Sequence, residues 1–360
     1  MNAQRVREVM QDVAAVGKVP GMSIAIANPD GVLHADAVGH ADLAEGRRST
    51  VDDQYLWFSM TKIATATAAV RLQADGLLDL DAPIGTYLPD YRAHHQHGHP
   101  TTRQLLSHTA GLGSPLPIRW VRPEGGTEDP ALLDRVIAKH GTPTKAVGAR
   151  AAYSNIGYLL AARVLEAATG RPVQYCIAEA VLKPLAMSST AFEYRDKAPR
   201  AIGYARIPRV TVPLLRRALP HGIVGPRVAG QTAFQPFLVE GAGYGGLVGS
   251  VTDAAKLAAA HAAGRSDAHP LLSGDDIHEM RTITATGKRF DHGIGWFRKP
   301  ADARRTPSFV EHYGTGAGFW NAMRIYPGLG LAMVAMTNTT FSWDHDRLFS
   351  RLEEMSWPVR

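Results

Sequence analysis

The sequence predicts an α/β fold of the α+β type: a sheet lobe split between residues 1–76 and 241–360, and a mainly helical lobe, 77–240, inserted between its halves. Two observations lead there. Strand-like segments gather at both ends of the chain, whereas the stretch between them is helical or irregular. The 360 residues, 45% hydrophobic and 20% charged, have ordinary globular chemistry and suffice for a large core or two lobes.

The elements follow in chain order. Residues 1–18 mix charged and apolar side chains in a helical pattern and lack a signal-peptide core. Segments 22–27 and 32–39 flank Asn28-Pro29-Asp30-Gly31 and predict two strands joined by a tight turn. Residues 63–74 are Ala-rich, free of Gly and Pro, and stop at Gly76, which predicts a helix. Shorter helices are expected at 101–106 and 131–138, and a longer one at 156–166, opened by Tyr153-Ser154-Asn155 and closed by Thr169-Gly170-Arg171-Pro172. Between Arg195 and Arg227 arginines alternate with prolines, which predicts a solvated, irregular excursion. Ser250-Val251-Thr252-Asp253 has the form of a helix cap. Strands return at 293–297, 308–311, 322–326 and 331–338, and a helix over 343–355 closes the chain.

Composition excludes several function classes. The formal charge of +6 and pI near 9.4 suit anionic partners, yet the basic stretch forms neither a basic helix nor a recognisable nucleic-acid motif, so no nucleic acid is expected. No apolar run approaches the length of a membrane span, and a cytoplasmic chain is expected. Cys176 is the sole cysteine, which rules out an intrachain disulfide. His94-His95-Gln96-His97-Gly98-His99 lacks the spacing of a catalytic zinc pair, and no metal or cofactor is expected. Gly241-Ala242-Gly243-Tyr244-Gly245-Gly246 satisfies G-x-G-x-x-G, but the helix cap falls after it rather than within it. A loop lining a cleft, with Tyr244 near substrate, or a plain turn is expected in place of a dinucleotide site.

The chemistry concentrates at Ser59-Met60-Thr61-Lys62. A hydroxyl and an amine three residues apart share one face where the 63–74 helix begins. Unpaired amides and the dipole of a helix start favour an oxyanion that develops as Ser59 attacks a carbonyl. For Lys62 to accept the hydroxyl proton, its pKa of about 10.4 must fall roughly three units, a cost of about 4 kcal/mol against the charged form. A helix dipole supplies only about 0.3–1 kcal/mol. Desolvation or a second titrating group must provide the rest. Tyr153 is that candidate: beside a cationic Lys62 its phenol can ionise and act as the base, with Asn155 orienting Lys62 or the substrate. Farther on, His312-Tyr313-Gly314-Thr315-Gly316 lies between strands. Glycines there indicate a close backbone approach, read here as the acyl group, with the Thr315 amide joining that of Ser59 as oxyanion donor.

Together these motifs resemble the penicillin-binding-protein-like serine hydrolases, and within them the class C β-lactamases and family VIII carboxylesterases. The likeness also takes in 19–25, 76–84, 105–112 and 242–248, and so nearly the whole chain. It implies a β-lactamase/transpeptidase-like antiparallel sheet flanked by helices, a cleft between lobes, a Ser59 nucleophile, a Lys62/Tyr153 proton-transfer pair and an acyl-enzyme. Where that family has Lys-Thr-Gly, this chain has His312-Tyr313-Gly314, and an imidazole holds a carboxylate less reliably than an ammonium. Cleavage of a small-molecule ester or amide, the ester first, is therefore expected ahead of β-lactam or D-amino-acid peptide turnover, acyl transfer, or stable acylation as a β-lactam sensor. Trp120, Tyr244, Phe319 and Trp320 are candidates for an apolar acyl wall, and His108 is expected to be a buried structural histidine.

Overall fold

The computed structural model describes residues 3–91, 95–265, 270–341 and 343–358; His94 of the histidine run lies outside them. Its centre is an eight-stranded sheet in which every named pairing is antiparallel. In spatial order the strands are Asp291–His292, Phe297–Arg298, Val310–Gly316, Phe319–Tyr326, Leu331–Thr337, Gly21–Asn28, Gly31–Asp42 and Arg47–Arg48. The first long strand of the chain thus pairs with the last, Ile24 opposite Ala335.

Period-two alternation sorts the central strands between two cores. Met22, Ile24, Ile26, Leu331, Met333 and Ala335 point to one face, where the helices Ala3–Gly17 and His345–Glu353 cover them. Both helices bury the i, i+3, i+4 pattern of an amphipathic stripe: Val6, Val9, Met10 and Val13 in one, His345, Leu348, Phe349 and Leu352 in the other. Ala25, Ala27, Ala332, Val334 and Met336 point to the other face, against the alanine-rich helix Val251–Ala262. Ser250 caps that helix by accepting from the Asp253 N–H. The helix Thr61–Ala74 is buried almost all round, which explains its short uncharged side chains and makes Lys62 conspicuous.

Three expectations about local secondary structure need correction. Residues 293–297 are not a strand. Gly293–Trp296 is a turn between two two-residue strands, because Gly295 takes a left-handed φ of +81° and a side chain at Gly293 would meet the Met280 carbonyl. The arginine- and proline-rich stretch is not irregular throughout. Gly203–Ala205, Gln231–Phe234 and Val224–Val228 form a three-stranded sheet with a helix at Val212–Ala218, and Ala229-Gly230, both at positive φ, make its tight hairpin. The glycines at 241–246 form a one-turn helix, Ala242–Gly245, not a loop. A side chain at Gly243 would approach Ala162 Cβ to 2.7 Å, so glycine there lets this turn lie against the helix Asn155–Thr169. Among the described residues no helix is long and apolar enough to cross a membrane.

The strand Val310–Gly316 bears the tightest approach. A Cβ at Gly314 would lie 1.9 Å from the Trp57 carbonyl oxygen, and one at Gly316 would lie 2.1 Å from the Phe58 ring. The close neighbour expected beside these glycines is therefore the protein's own chain next to Ser59, not an acyl group. Gly314→Ala should lower stability by about 1–3 kcal/mol in urea unfolding. Gly328→Ala, where nothing lies within 4 Å of the new carbon, should stay within about 0.5 kcal/mol of the parent.

Candidate active site

Ser59 lies two residues before the helix Thr61–Ala74, in the 3-10 turn Phe58–Met60 that leads into it. Phe58 adopts a positive φ of 46°, a strained conformation for a side chain of its size. The turn is held on several sides. Trp57 N–H donates to the Leu247 carbonyl at 2.9 Å, and Asn321 Nδ2 to the Leu56 carbonyl at 2.8 Å. The first amides of such a turn, that of Ser59 among them, have no acceptor within it.

Behind the hydroxyl, Lys62 is fully buried. Its Nζ lies 3.0 Å from Ser59 Oγ, 2.9 Å from Asn155 Oδ1 and 2.9 Å from the Tyr244 carbonyl oxygen. None of these partners is a carboxylate. Burial alone drives its pKa well below the usual lysine value. Two of the acceptors come from the inserted sequence and the glycine-rich turn, so three separate segments converge on one amine.

Tyr153 precedes the helix Asn155–Thr169, and Ser154 serves as that helix's cap, accepting from the Gly157 N–H and donating to the Gly113 carbonyl. Part of the Tyr153 ring faces the cavity, yet loss of hydration raises the phenol above its ordinary pKa; a hydrogen bond with the Ser59 side chain pulls the other way. Lys62 Nζ lies 5.0 Å from the Tyr153 ring centre. Hydroxyl, amine and phenol ring therefore lie together, the arrangement that the motif resemblance implies. His108, buried, accepts from the Ser154 N–H through Nδ1 and packs its ring 4.5 Å from that of Tyr153.

His312 is buried too, and its pKa is well below the usual value, first through burial and then through the nearby Lys62. Its Nδ1 lies 2.8 Å from the Tyr313 carbonyl oxygen, which makes Nδ1 the protonated nitrogen and leaves Nε2 as a bare acceptor. Tyr313 is held by its hydroxyl, which donates to Glu311; the Glu311 carboxylate in turn pairs with Arg324 at 2.7 Å, both side chains fully buried. The backbone of Thr315 is turned outward. The Trp320 carbonyl opposite it accepts from Thr337 Oγ1 at 2.6 Å and Trp343 Nε1 at 3.1 Å on the far side of its strand. The Tyr313 carbonyl, two residues before Thr315 and on the same edge by strand alternation, accepts from His312 Nδ1. The Thr315 N–H therefore points away from the ladder.

A cavity of about 760 Å³ opens over these groups. Ser59, Tyr153, Asn155, His312, Tyr313, Thr315 and Trp320 line it, with Phe290, His292 and Phe297 completing the wall. Those last three were not singled out from the sequence; they come from the short hairpin that replaces the expected strand. Gly314 faces Trp57 and does not line the cavity. The Tyr244 ring packs edge-on against Trp120, 5.7 Å away, and this residue serves the site through its carbonyl. Phe319 lies in the core beside Tyr55 and Phe58. Of the four aromatics expected as an acyl wall, Trp320 alone lines the cavity. Among the described residues no cluster of His, Cys, Asp or Glu is placed to hold a metal ion.

Comparison with known proteins agrees with this architecture. The family model described as beta-lactamase matches residues 4–354. Esterase EstB of Burkholderia gladioli is 25% identical over 367 aligned positions, covering 94% of this chain and 91% of that protein. D-amino acid amidase from Ochrobactrum anthropi SV3 superposes with a TM-score of 0.76 at 22% identity over 97% of this chain and 98% of its own. Beta-lactamase/D-alanine carboxypeptidase from Pseudomonas syringae does so with 0.74 at 22% identity over 99% of each. With its antiparallel sheet, its serine turn and a family match over almost its whole length, the chain belongs to the beta-lactamase family of penicillin-binding-protein-like serine hydrolases.

Proposed function

We propose that the protein hydrolyses carboxylic esters of small acids through an acyl-Ser59 intermediate. One observation carries the proposal: an amine buried without a carboxylate partner stands 3.0 Å from the Ser59 hydroxyl. Neutral Lys62 has two N–H donors and one lone pair. The donors suit Asn155 Oδ1 and the Tyr244 carbonyl, and the lone pair then faces the Ser59 proton.

In the forward step Lys62 takes that proton while Ser59 Oγ bonds to the ester carbonyl, whose oxygen becomes an oxyanion between the amides of Ser59 and Thr315. Collapse of the tetrahedral species breaks the bond to the leaving alcohol, which receives its proton from the Tyr153 phenol; Lys62 resupplies the phenol. Water reverses the sequence on the acyl-enzyme and frees the acid. The raised pKa of Tyr153 favours this order over a phenolate base, the alternative left open by the motifs.

Ester chemistry ranks above β-lactam turnover because His312, where a lysine would grip the β-lactam carboxylate, is neutral and its one proton is spent on the Tyr313 carbonyl. The alignment with an esterase over nearly the whole chain supports the same ranking. Purified protein should turn over p-nitrophenyl butyrate with a kcat/KM above that for any cephalosporin; the reverse order in the same assay would make it a β-lactamase. Ser59→Ala and Lys62→Ala should each lower kcat by about 10⁴–10⁶, and the double variant little further.

A base acts only when unprotonated, so kcat/KM should fall as pH drops through the Lys62 pKa, on a limb well below the range of an ordinary lysine. In Tyr153→Phe that limb should keep its position while kcat falls by roughly 10²–10⁴. Loss of the limb in this variant would transfer the base role to the phenol.

A further inference from the structure

The cavity over Ser59 is lined by four cations and no carboxylate: Lys145, Arg150, Lys288 and Arg289. All four are exposed. Several other arginines lie against acids, as in Arg47 with Asp53, Arg103 with Asp81 and Arg122 with Glu240. Among the described residues the four at the cavity have no ion-pair partner. Arg150 donates from Nη2 to the Gly287 carbonyl at 3.0 Å, and Arg289 lies over the Phe290 ring at 5.2 Å. Asp291 lies close in sequence, but its carboxylate is buried, accepts from the Gly287 N–H at 3.1 Å and does not line the cavity.

Backbone pairing brings these charges together. The Ala151 N–H donates to the Thr286 carbonyl at 2.9 Å and Ala151 bridges Gly287, so the segments carrying Arg150 and Lys288-Arg289 run side by side. Like charges held this way repel, and their summed field extends over the opening of the cleft. At the bottom of the same cleft neutral His312 offers no such attraction. Within this cavity an anion is therefore met by these four side chains and not by His312.

We propose that the preferred substrates are esters whose acyl chain ends in a free carboxylate, of the half-ester of a dicarboxylic acid type, with Arg150, Lys288, Arg289 and Lys145 receiving that carboxylate. This rests on the esterase reading and adds its substrate class. Guanidinium groups suit a terminal carboxylate because they bind it through two parallel hydrogen bonds. The apolar Phe290 and Phe297 beneath them suit the methylene chain.

The test compares p-nitrophenyl hydrogen adipate with p-nitrophenyl hexanoate, an uncharged ester with the same chain length, each corrected for spontaneous hydrolysis. At about 10 mM salt, where screening reaches about 30 Å, the acidic ester should have a kcat/KM about tenfold or more above the neutral one. Near 1 M salt the ratio should collapse toward one. In a variant combining Arg150→Gln, Lys288→Gln and Arg289→Gln the low-salt ratio should fall likewise, through KM more than kcat. Because these side chains are exposed, the variant should fold; equal unfolding midpoints for variant and parent check this. A low-salt ratio of one or less, or a preference unchanged in the variant, overturns the carboxylate assignment while the esterase reading stands. Turnover of neither ester overturns both.

Discussion

The site depends on the burial of one amine without a counter-charge. Removing an ammonium from water costs several kcal/mol even after the protein relaxes around it. Lys62 lowers that cost by holding its proton more weakly than a solvated lysine does, and the three oxygens around it make the neutral or charged amine a satisfied group in either state. Those oxygens belong to the serine turn, the helix Asn155–Thr169 and the one-turn helix Ala242–Gly245, so packing of three distant segments sets the basicity of a single nitrogen. A carboxylate added to this shell would hold the proton on Lys62 and remove the base of the proposed mechanism.

Around that amine the chain is placed by exclusion as much as by attraction. The turn carrying Ser59 is pressed against Val310–Gly316 closely enough that only glycine fits at two positions of the strand. Thr315, between them, keeps its side chain exposed and its amide directed out of the ladder. Farther back, Glu311, Arg324 and the Tyr313 hydroxyl form a buried polar chain that fixes the wall of the cavity from beneath the sheet. Arg324 lies 3.8 Å from the Phe309 ring centre, an arrangement that covers the guanidinium face with carbon while its edge reaches acids.

Local features were legible in the sequence. The three-residue step from Ser59 to Lys62, the cap at Ser250, the turn at Asn28–Gly31 and the alternating strands are short-range patterns with short-range causes. The meeting of Tyr153 with Ser59 and Lys62 spans the inserted sequence, and no period or spacing reports it; only the motif resemblance anticipated it. Glycines in the 312–318 stretch correctly signalled a close approach, but a glycine cannot say what approaches, and the partner proved to be Trp57 and Phe58. Trp120, Tyr244 and Phe319 illustrate the same limit, since an aromatic in the core and one on a cavity wall have the same sequence signature. The cations at the cleft mouth come from positions 145–150 and 288–289, two segments whose adjacency is a matter of backbone pairing alone.

The pairing of Gly21–Asn28 with Leu331–Thr337 has a consequence for biosynthesis. During translation the early strand leaves the ribosome with only its hairpin neighbour Gly31–Asp42 available, and its other edge must wait until nearly the whole polypeptide has been made. Its apolar edge stays open to foreign strands throughout that delay. Contacts so far apart in the chain are also slow to close. Folding of the central sheet is thus expected to be a post-translational event, and a nascent chain truncated before residue 331 should remain a chaperone client.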